Sequence, residues 1–379
     1  MNKIRFTDCV DIVGSSCGTF DGTKIYVSTG AVDTDHIETA DIEIIDYDGK
    51  PSRANLIVEE NDIIFAKMQA TTKTLLINKE MSEHIYSTGF CAVRAKSDII
   101  TDKCLYYLLI SETFLNQKDK NCSGATQKAI TNAGLEKIEI CIPDIEKQEK
   151  LVKCLDSICN IISFRKQQLQ QLDELVKARF VEMFGDPVNN SKCLPELTLS
   201  ELGEFGRGVS KHRPRNDPKL LGGKYPLIQT GEVANSELYI TSYENTYSEL
   251  GLKQSKMWQT GTLCITIAAN IAKTAILTFD ACFPDSVVGF KANDKTNNIF
   301  VHYWFSFFQA ILEAQAPESA QKNINLKILS ELKIIVPPIE QQIEFVAFVE
   351  QINKSKFAVQ KALDEAQTLF DSLMQEYFG

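Results

Sequence analysis

Two stretches of this chain carry apolar side chains at steps of three and four over some forty residues, with no glycine or proline inside either. In the first they fall at Leu151, Leu155, Ile158, Ile162, Leu169, Leu172, Val176 and Met183, interrupted by Arg165 and Arg179. In the second they fall at Phe345, Val349, Ile352, Val359, Leu363, Ala366, Phe370, Leu373 and Tyr377, interrupted by Lys356. Pro143 and Pro337-Pro338 block helix upstream, and Gly185 and Gly379 close each run. The pattern predicts helices over 145–185 and 339–379, each about 60 Å long at 1.5 Å per residue. A seam of period 3.5 held this long favours packing against another helix over burial in a globular core. The two are therefore expected to pack on each other through Leu151, Leu155, Ile158, Leu169 and Leu172 of the first and Phe345, Val349, Ile352, Leu363 and Phe370 of the second.

The rest of the chain, 1–144 and 186–338, reads as two mixed α/β (α+β) domains. Short β-rich runs include Ile63-Ile64-Phe65-Ala66, Phe90-Cys91-Ala92-Val93, Leu263-Cys264-Ile265-Thr266-Ile267 and Lys333-Ile334-Ile335-Val336. Helical stretches at 105–114 and 301–312 lie between the later strands, and 186–192 reads as a short exposed linker. Tyr106, Tyr107, Tyr303, Phe305, Phe307 and Phe308 have helical spacing, which favours core packing over base stacking.

A duplication organises these parts. Residues 127–185 align with 321–379 at a constant offset of 194 without a gap, and 16 of the 59 positions are identical, where composition alone gives roughly four. Gln127-Lys128-x-Ile130 matches Gln321-Lys322-x-Ile324, and Pro143-x-Ile145-Glu146-x-Gln148 matches Pro337-x-Ile339-Glu340-x-Gln342. Upstream the copies diverge, with looser matches between residues 28–32 and 229–233 and between Lys73-Thr74 and Lys273-Thr274. Each half is thus a variable globular unit followed by a better-preserved helix: 1–144 with 145–185, then 186–338 with 339–379.

Composition excludes several classes. No run approaches the roughly 18 apolar residues of a membrane span, and the first residues lack a secretory core, so a cytoplasmic protein is expected. Eleven cysteines without a Cys-x-x-Cys, and only four histidines, argue against a disulfide framework or a structural zinc site. Reduced, mostly buried thiols are expected, Cys154 and Cys159 acting as small hydrophobes on a helix. There is no phosphate-binding loop of the Gly-x-x-x-x-Gly-Lys-Ser/Thr type and no Asn/Asp-Pro-Pro-aromatic motif. Gly203-x-x-Gly206-x-Gly208 reads as a turn before a basic loop, and Pro284-Asp285 with Lys291 lacks the second carboxylate of a nuclease metal site. The net charge of −10 opposes general nucleic-acid affinity, so any such binding depends on local cations.

An internal repeat makes a pseudo-two-fold available. With antiparallel helices the two units lie at opposite ends and face one side, suiting two half-sites about a helical turn apart on duplex DNA. The repeated Gln-Lys-x-Ile, the Pro-x-Ile-Glu-x-Gln entry to each helix, and the exit Phe180-x-x-Met183-Phe184-Gly185-Asp186-Pro187 resemble the specificity subunit of type I restriction–modification enzymes. The resemblance spans the chain and is strongest over the two tails. It implies that the variable units are target recognition domains, that the helices act as a ruler for a bipartite site, and that they seat two methyltransferase subunits. It implies no catalysis by this chain: S-adenosylmethionine, ATP and Mg are expected on partner subunits only, no cofactor or metal is expected here, and a restriction subunit is left open as a further partner.

Within that frame the clearest basic segment is 207–224, where Arg207, Lys211, Arg213, Arg215, Lys219 and Lys224 face only Asp217. It reads as a loop, broken by Pro214 and Pro218; its cations suit phosphate contact and bidentate guanine reading. Lys273 joins them. The first domain is sparser, with Lys24, Lys67, Lys73 and Arg94 as candidates beside the neutral donors Ser28, Thr29 and Gln69. Gln127-Lys128 and Gln321-Lys322-Asn323 precede the last strand of each unit and are also candidates. For these a turn-fixing role is at least as strong, because unequal half-sites should not demand identical readers. A coiled-coil scaffold joining other proteins is the alternative; the basic segment discriminates, since a peptide binder does not need it. An enzyme is the weaker alternative, for want of a cofactor or metal constellation.

Overall fold

The fold was derived from a computed structural model, which describes residues 2–214, 217–268, 271–315 and 324–379. It divides into two units: residues 1–167 with 360–379, and residues 168–359. The long helices run from Ile145 to Phe184 and from Ile339 to Phe378, 40 residues each, and each contributes to both units.

In the first unit a four-stranded antiparallel sheet has the order Thr74–Leu76, Ile63–Ala66, Phe90–Ala95, Val10–Val13. Ile63–Ala66 is buried at every position, which explains its uninterrupted apolar run. A five-stranded sheet of shorter strands lies beside it, centred on Ile85–Ser87 between Ala54–Ile57 and a parallel Lys24–Val27. The domain closes where Asn2–Arg5 pairs antiparallel with Glu139–Ile142, the strand leading into the first long helix. Its main core joins Phe6, Phe65, Leu105 and Phe114 to Leu151 and Leu155 of that helix and to Met374 and Phe378 of the second.

The second unit repeats this plan. Leu263–Thr266, again fully buried, sits between Val287–Ala292 and Thr274–Leu277, with Gly203–Arg207 and Tyr239–Ile240 at the edges. Glu196–Thr198 closes on Lys333–Ile335. Its core joins Leu263, Phe290, Phe300 and Trp304 to Val176, Phe180 and Phe184 of the first long helix and Phe345, Val349 and Ile352 of the second. Within this unit Asp173 bonds Lys356 while Arg179 bonds Glu344 at 2.9 Å. Numbers rising along one helix and falling along the other make the pair antiparallel.

The helix seam departs from its expected environment. Leu151, Leu155, Phe345 and Val349 are buried among domain side chains, not only against the opposite helix, and Ile158 and Ile352 are also buried. Leu169, Leu172, Leu363 and Phe370, nearer the helix middles or the surface, are half-buried. The helices are therefore core elements of the domains at their ends, because a two-stranded seam alone leaves half of each apolar stripe in water.

Other expectations change in detail. The stretch 105–114 is two helices, Asp102–Ile110 and Glu112–Lys120, split at Ser111, whose Oγ accepts from Phe114 N at 3.3 Å and starts the second. Gly203-x-x-Gly206 is an edge strand rather than a turn. Residues 186–192 form a cap: Lys192 Nζ donates to the carbonyls of Glu182 (2.5 Å) and Met183 (3.0 Å), satisfying the end of the first long helix. All eleven cysteines are unpaired, five of them buried; Cys154 is exposed. Among the described residues no helix is long and apolar enough to cross a membrane.

Candidate nucleic-acid interface

In the first unit, the loop 67–73 connects two buried strands and the loop 121–130 lies against it. Gln69 N donates to the Lys128 carbonyl at 3.0 Å and Ile130 N to the Lys67 carbonyl at 2.9 Å. Lys67 Nζ reaches the Thr88 carbonyl (3.1 Å) and Lys73 Nζ the Thr29 carbonyl (2.8 Å). One loop surface therefore gathers Lys67, Lys73, Gln69, Gln127, Lys128 and Thr29. Gln127 and Lys128 are exposed. Gly124 fixes their turn: its φ is +136°, and a side chain there would strike the Gln127 carbonyl. Lys24 lies 5.8 Å from the Phe20 ring.

Arg94 does not belong to this surface. Its Nε bonds the buried Asp62 carboxylate and its Nη2 bonds Glu59, each at 2.7 Å. The Asp62 hydrogen bond, ahead of the Glu59 charge, raises its pKa, so the guanidinium neutralises a core carboxylate instead of facing a ligand.

A residue that sequence reasoning missed supports the loop from beneath. Lys118 is 1% exposed, and its ammonium donates to the carbonyls of Thr71 (2.7 Å), Met68 (3.2 Å) and Ala66 (3.5 Å). Burial lowers its pKa, with Asp119, 3.6 Å away, acting in the opposite sense. Asp119 in turn accepts from Ala70 N at 2.9 Å. The lysine falls on a helix with a polar sequence, and nothing in its spacing distinguishes it from an exposed charge.

In the second unit the basic segment is part strand and part loop. Arg207 ends Gly203–Arg207, Pro218–Leu220 is a 3-10 turn, and Lys224 lies in Leu221–Leu227. Arg207 and Lys211 are exposed and make no ion pair among the described residues. Arg213 turns back: its Nη1 donates to the carbonyls of Ser210 (2.6 Å) and His212 (2.8 Å), and its Nη2 is 3.7 Å from Asp285. Lys224 is held by Glu249 at 3.4 Å. Lys273 is half-buried, its backbone N donating to Thr266 Oγ1 at 3.0 Å. Arg215, Gln321, Lys322 and Asn323 lie outside the described residues.

The repeated motifs have structural work to do. Ile130 and Ile324, each 3% exposed, make equivalent backbone bonds to Lys67 (2.9 Å) and Ile267 (3.0 Å) beside the central strand. Gln148 and Gln342 are fully buried. Gln148 Nε2 donates to Pro143 and Ile99 carbonyls and its Oε1 accepts from Thr101 N. Gln342 repeats this with Pro337, Lys295 and Asn297.

One group of ligand-type atoms is present among the described residues, Asp33, His36 and Glu38 on an exposed hairpin, within 4.8 Å of one another. His36 is engaged there by Asp35 and Glu38 at 3.1 Å each, and the Asp35 hydrogen bond raises its pKa.

The comparisons with known proteins agree with the duplication. The type I restriction modification DNA specificity domain matches residues 12–174 and again 196–366. A relative from Methanocaldococcus jannaschii named as the MjaX type I restriction enzyme specificity subunit is 24% identical over 62% of this chain, an alignment spanning 58% of the relative's length. The EcoKI specificity subunit of Escherichia coli K12 is 20% identical over 84% of this chain and 73% of its own. A solved chain from a study of the assembly and conformational transition of the type I R-M system shares the fold, with a TM-score of 0.61, 20% identity, and coverage of 99% of this chain and 97% of that one. With two copies of the domain covering most of its length, the chain belongs to the type I restriction modification DNA specificity family.

Proposed function

We propose that this chain reads a bipartite DNA target on behalf of a type I restriction–modification assembly and performs no catalysis itself. Each globular domain contacts one half-site. The long helices hold the two readers at a set spacing and seat two methyltransferase subunits, which bring S-adenosylmethionine; ATP and Mg belong to a restriction subunit where one is present. The observation that carries this reading is the duplicated specificity domain, each copy ending in a 40-residue helix.

The first domain presents Lys67, Lys73, Gln127 and Lys128, and the second Arg207, Lys211, Arg213 and Arg215 with Lys273, to phosphates and base edges. Gln321, Lys322 and Asn323 are the second domain's counterparts of Gln127 and Lys128. The acidic balance of the whole chain makes isolated binding weak, since phosphate affinity scales with local cations.

The test is reconstitution. The chain alone is expected to transfer no methyl group from labelled S-adenosylmethionine and to bind duplex weakly. With methyltransferase subunits added, methylation should concentrate at one two-part sequence, and removing a heptad from each helix should shorten the tolerated spacer. Turnover by the chain alone, or methylation without sequence preference in the complex, would reject the proposal.

A further inference from the structure

Lys356 interrupts the apolar seam of the second long helix, yet it is only 8% exposed. Its ammonium bonds Asp173 Oδ1 of the first long helix at 2.7 Å and the carboxylate of Glu237, two residues past the helix Thr230–Asn235. Burial alone would lower its pKa, but the two carboxylates outweigh it and raise the value. The charges of this cluster reach His302, whose Nδ1 shares a hydrogen bond with Thr274 Oγ1 at 2.9 Å, and Tyr303. Nothing in the first copy of the repeat matches this arrangement. At the constant offset of 194, Lys356 corresponds to Ile162 and Asp173 to Gln367.

That asymmetry has a physical consequence. Pairing of a second long helix with another second long helix would set Lys356 against Gln367, and its buried ammonium would lose the helix carboxylate. Sliding the native pair by one turn would bring Leu169-Gln170 or Val176-Lys177 to the position of Asp173, and neither offers a carboxylate. A buried charge without its partner is strongly disfavoured, whereas an apolar seam of period 3.5 tolerates a slide of one heptad. We infer that Lys356 is a specificity-determining residue of the helix pair, fixing both its axial register and the choice of partner helix. Leu, Ile, Val and Phe in the seam supply attraction, with Phe180 and Phe184 packed on Phe345 at the domain end of the pair, and the Lys356–Asp173–Glu237 triad adds the charge penalty that disfavours every other alignment.

Its bearing on target spacing rests on the function proposed above, so the experiment separates the two. Spin labels are placed at the exposed positions Gln171 and Gln341, both within the second unit and offset by about 25 Å along the helix axes at 1.5 Å per residue, through a non-natural amino acid because the chain holds eleven cysteines. The native chain is expected to give one narrow distance. Lys356→Met should fold, since an apolar side chain replaces one buried ammonium and leaves two carboxylates that are themselves exposed, but should add a second distance displaced by about 5 Å, one helical pitch, or by twice that for a heptad. Reversing all three charges, Lys356→Glu with Asp173→Lys and Glu237→Lys, should restore the single native distance, and it keeps the idea testable if Lys356→Met does not fold. An unchanged narrow distance in Lys356→Met, or a charge reversal that fails to restore it, overturns the inference. In the methyltransferase complex, Lys356→Met should lose several-fold of its preference between bipartite duplexes differing by one base pair of spacer. A changed distance with an unchanged spacer preference would uphold the register role and sink the ruler function.

Discussion

Gln148 donates from Nε2 to the carbonyl oxygen of Pro143, 2.8 Å away, with no solvent between them. The amide also serves Ile99 and Thr101, so one side chain joins the strand exit, the long helix and the loop ahead of Asp102–Ile110. Gln148→Leu keeps the volume and leaves three backbone groups without this partner, one in a buried bond and two in partly buried ones. We expect a loss of about 3 kcal/mol, at 1–3 kcal/mol per unsatisfied group with partial relaxation. Urea unfolding followed by tryptophan-independent circular dichroism checks it, and Gln342→Leu should cost a similar amount.

Removing the ammonium under the first domain's loop should act locally. Lys118→Met leaves the carbonyls of Ala66, Met68 and Thr71 without their donor while its chain still fills the space. Amide hydrogen exchange at Gln69 and Ala70 is expected to rise about tenfold or more, while Ile63–Ala66 stays protected. Uniform acceleration across the whole sheet would contradict a local role.

Acid should weaken the second unit through His302. Burial, aided by the nearby Lys356 charge, drops this imidazole from 6.5 to about 4. Between those values the unfolded chain binds more protons than the folded one, so stability is fully present above pH 6.5 and is lost as pH falls toward 4. The contribution is about 3 kcal/mol at most, at 1.36 kcal/mol per pKa unit. A titration of unfolding free energy should lose this segment of its slope in His302→Gln, with Thr274 still hydrogen-bonded.

Under the proposed function, the cations of the second domain make a graded set. Arg207→Ala with Lys211→Ala removes two exposed charges that make no ion pair among the described residues and should lower the slope of log affinity against log salt by about 1.8, at 0.9 per phosphate contact. Arg213→Ala with Arg215→Ala should weaken one half-site only. Because Asp285 holds Arg213 at 3.7 Å, Asp285→Asn is expected to strengthen non-specific binding. Filter binding over a salt series on duplexes with one half-site scrambled reads all three.

Much of the architecture was legible because it is periodic or repeated. The helical seams marked both long helices to within a residue of Ile145–Phe184 and Ile339–Phe378, and the fully apolar runs marked the central strands. The environment of the seam was not legible, since a stripe of Leu155 and Phe345 reads alike whether a helix or a sheet covers it. The break at Ser111 was hidden inside an apolar run, where one hydroxyl caps what composition alone would continue. The candidate interface was legible as cations and no further. Whether an arginine faces solvent, like Arg207, or a carboxylate in the core, like Arg94, depends on partners such as Asp62, 32 residues away, and Arg213 turns onto carbonyls of its own loop that no side-chain pattern marks. The buried Lys118 is the extreme case, because its partners are backbone carbonyls, which every sequence has.

Met374 and Phe378 lie in the same core as Phe6 and Leu155, more than two hundred residues upstream. A ribosome making this chain finishes the first globular unit long before it makes the strip of helix that completes that unit's interior. The nascent domain must therefore wait with an apolar trough open through synthesis of the entire second unit, a period in which holdase chaperones have something to grip. Chains stopped anywhere in that interval would carry the trough permanently, and quality control should remove them faster than their length alone suggests.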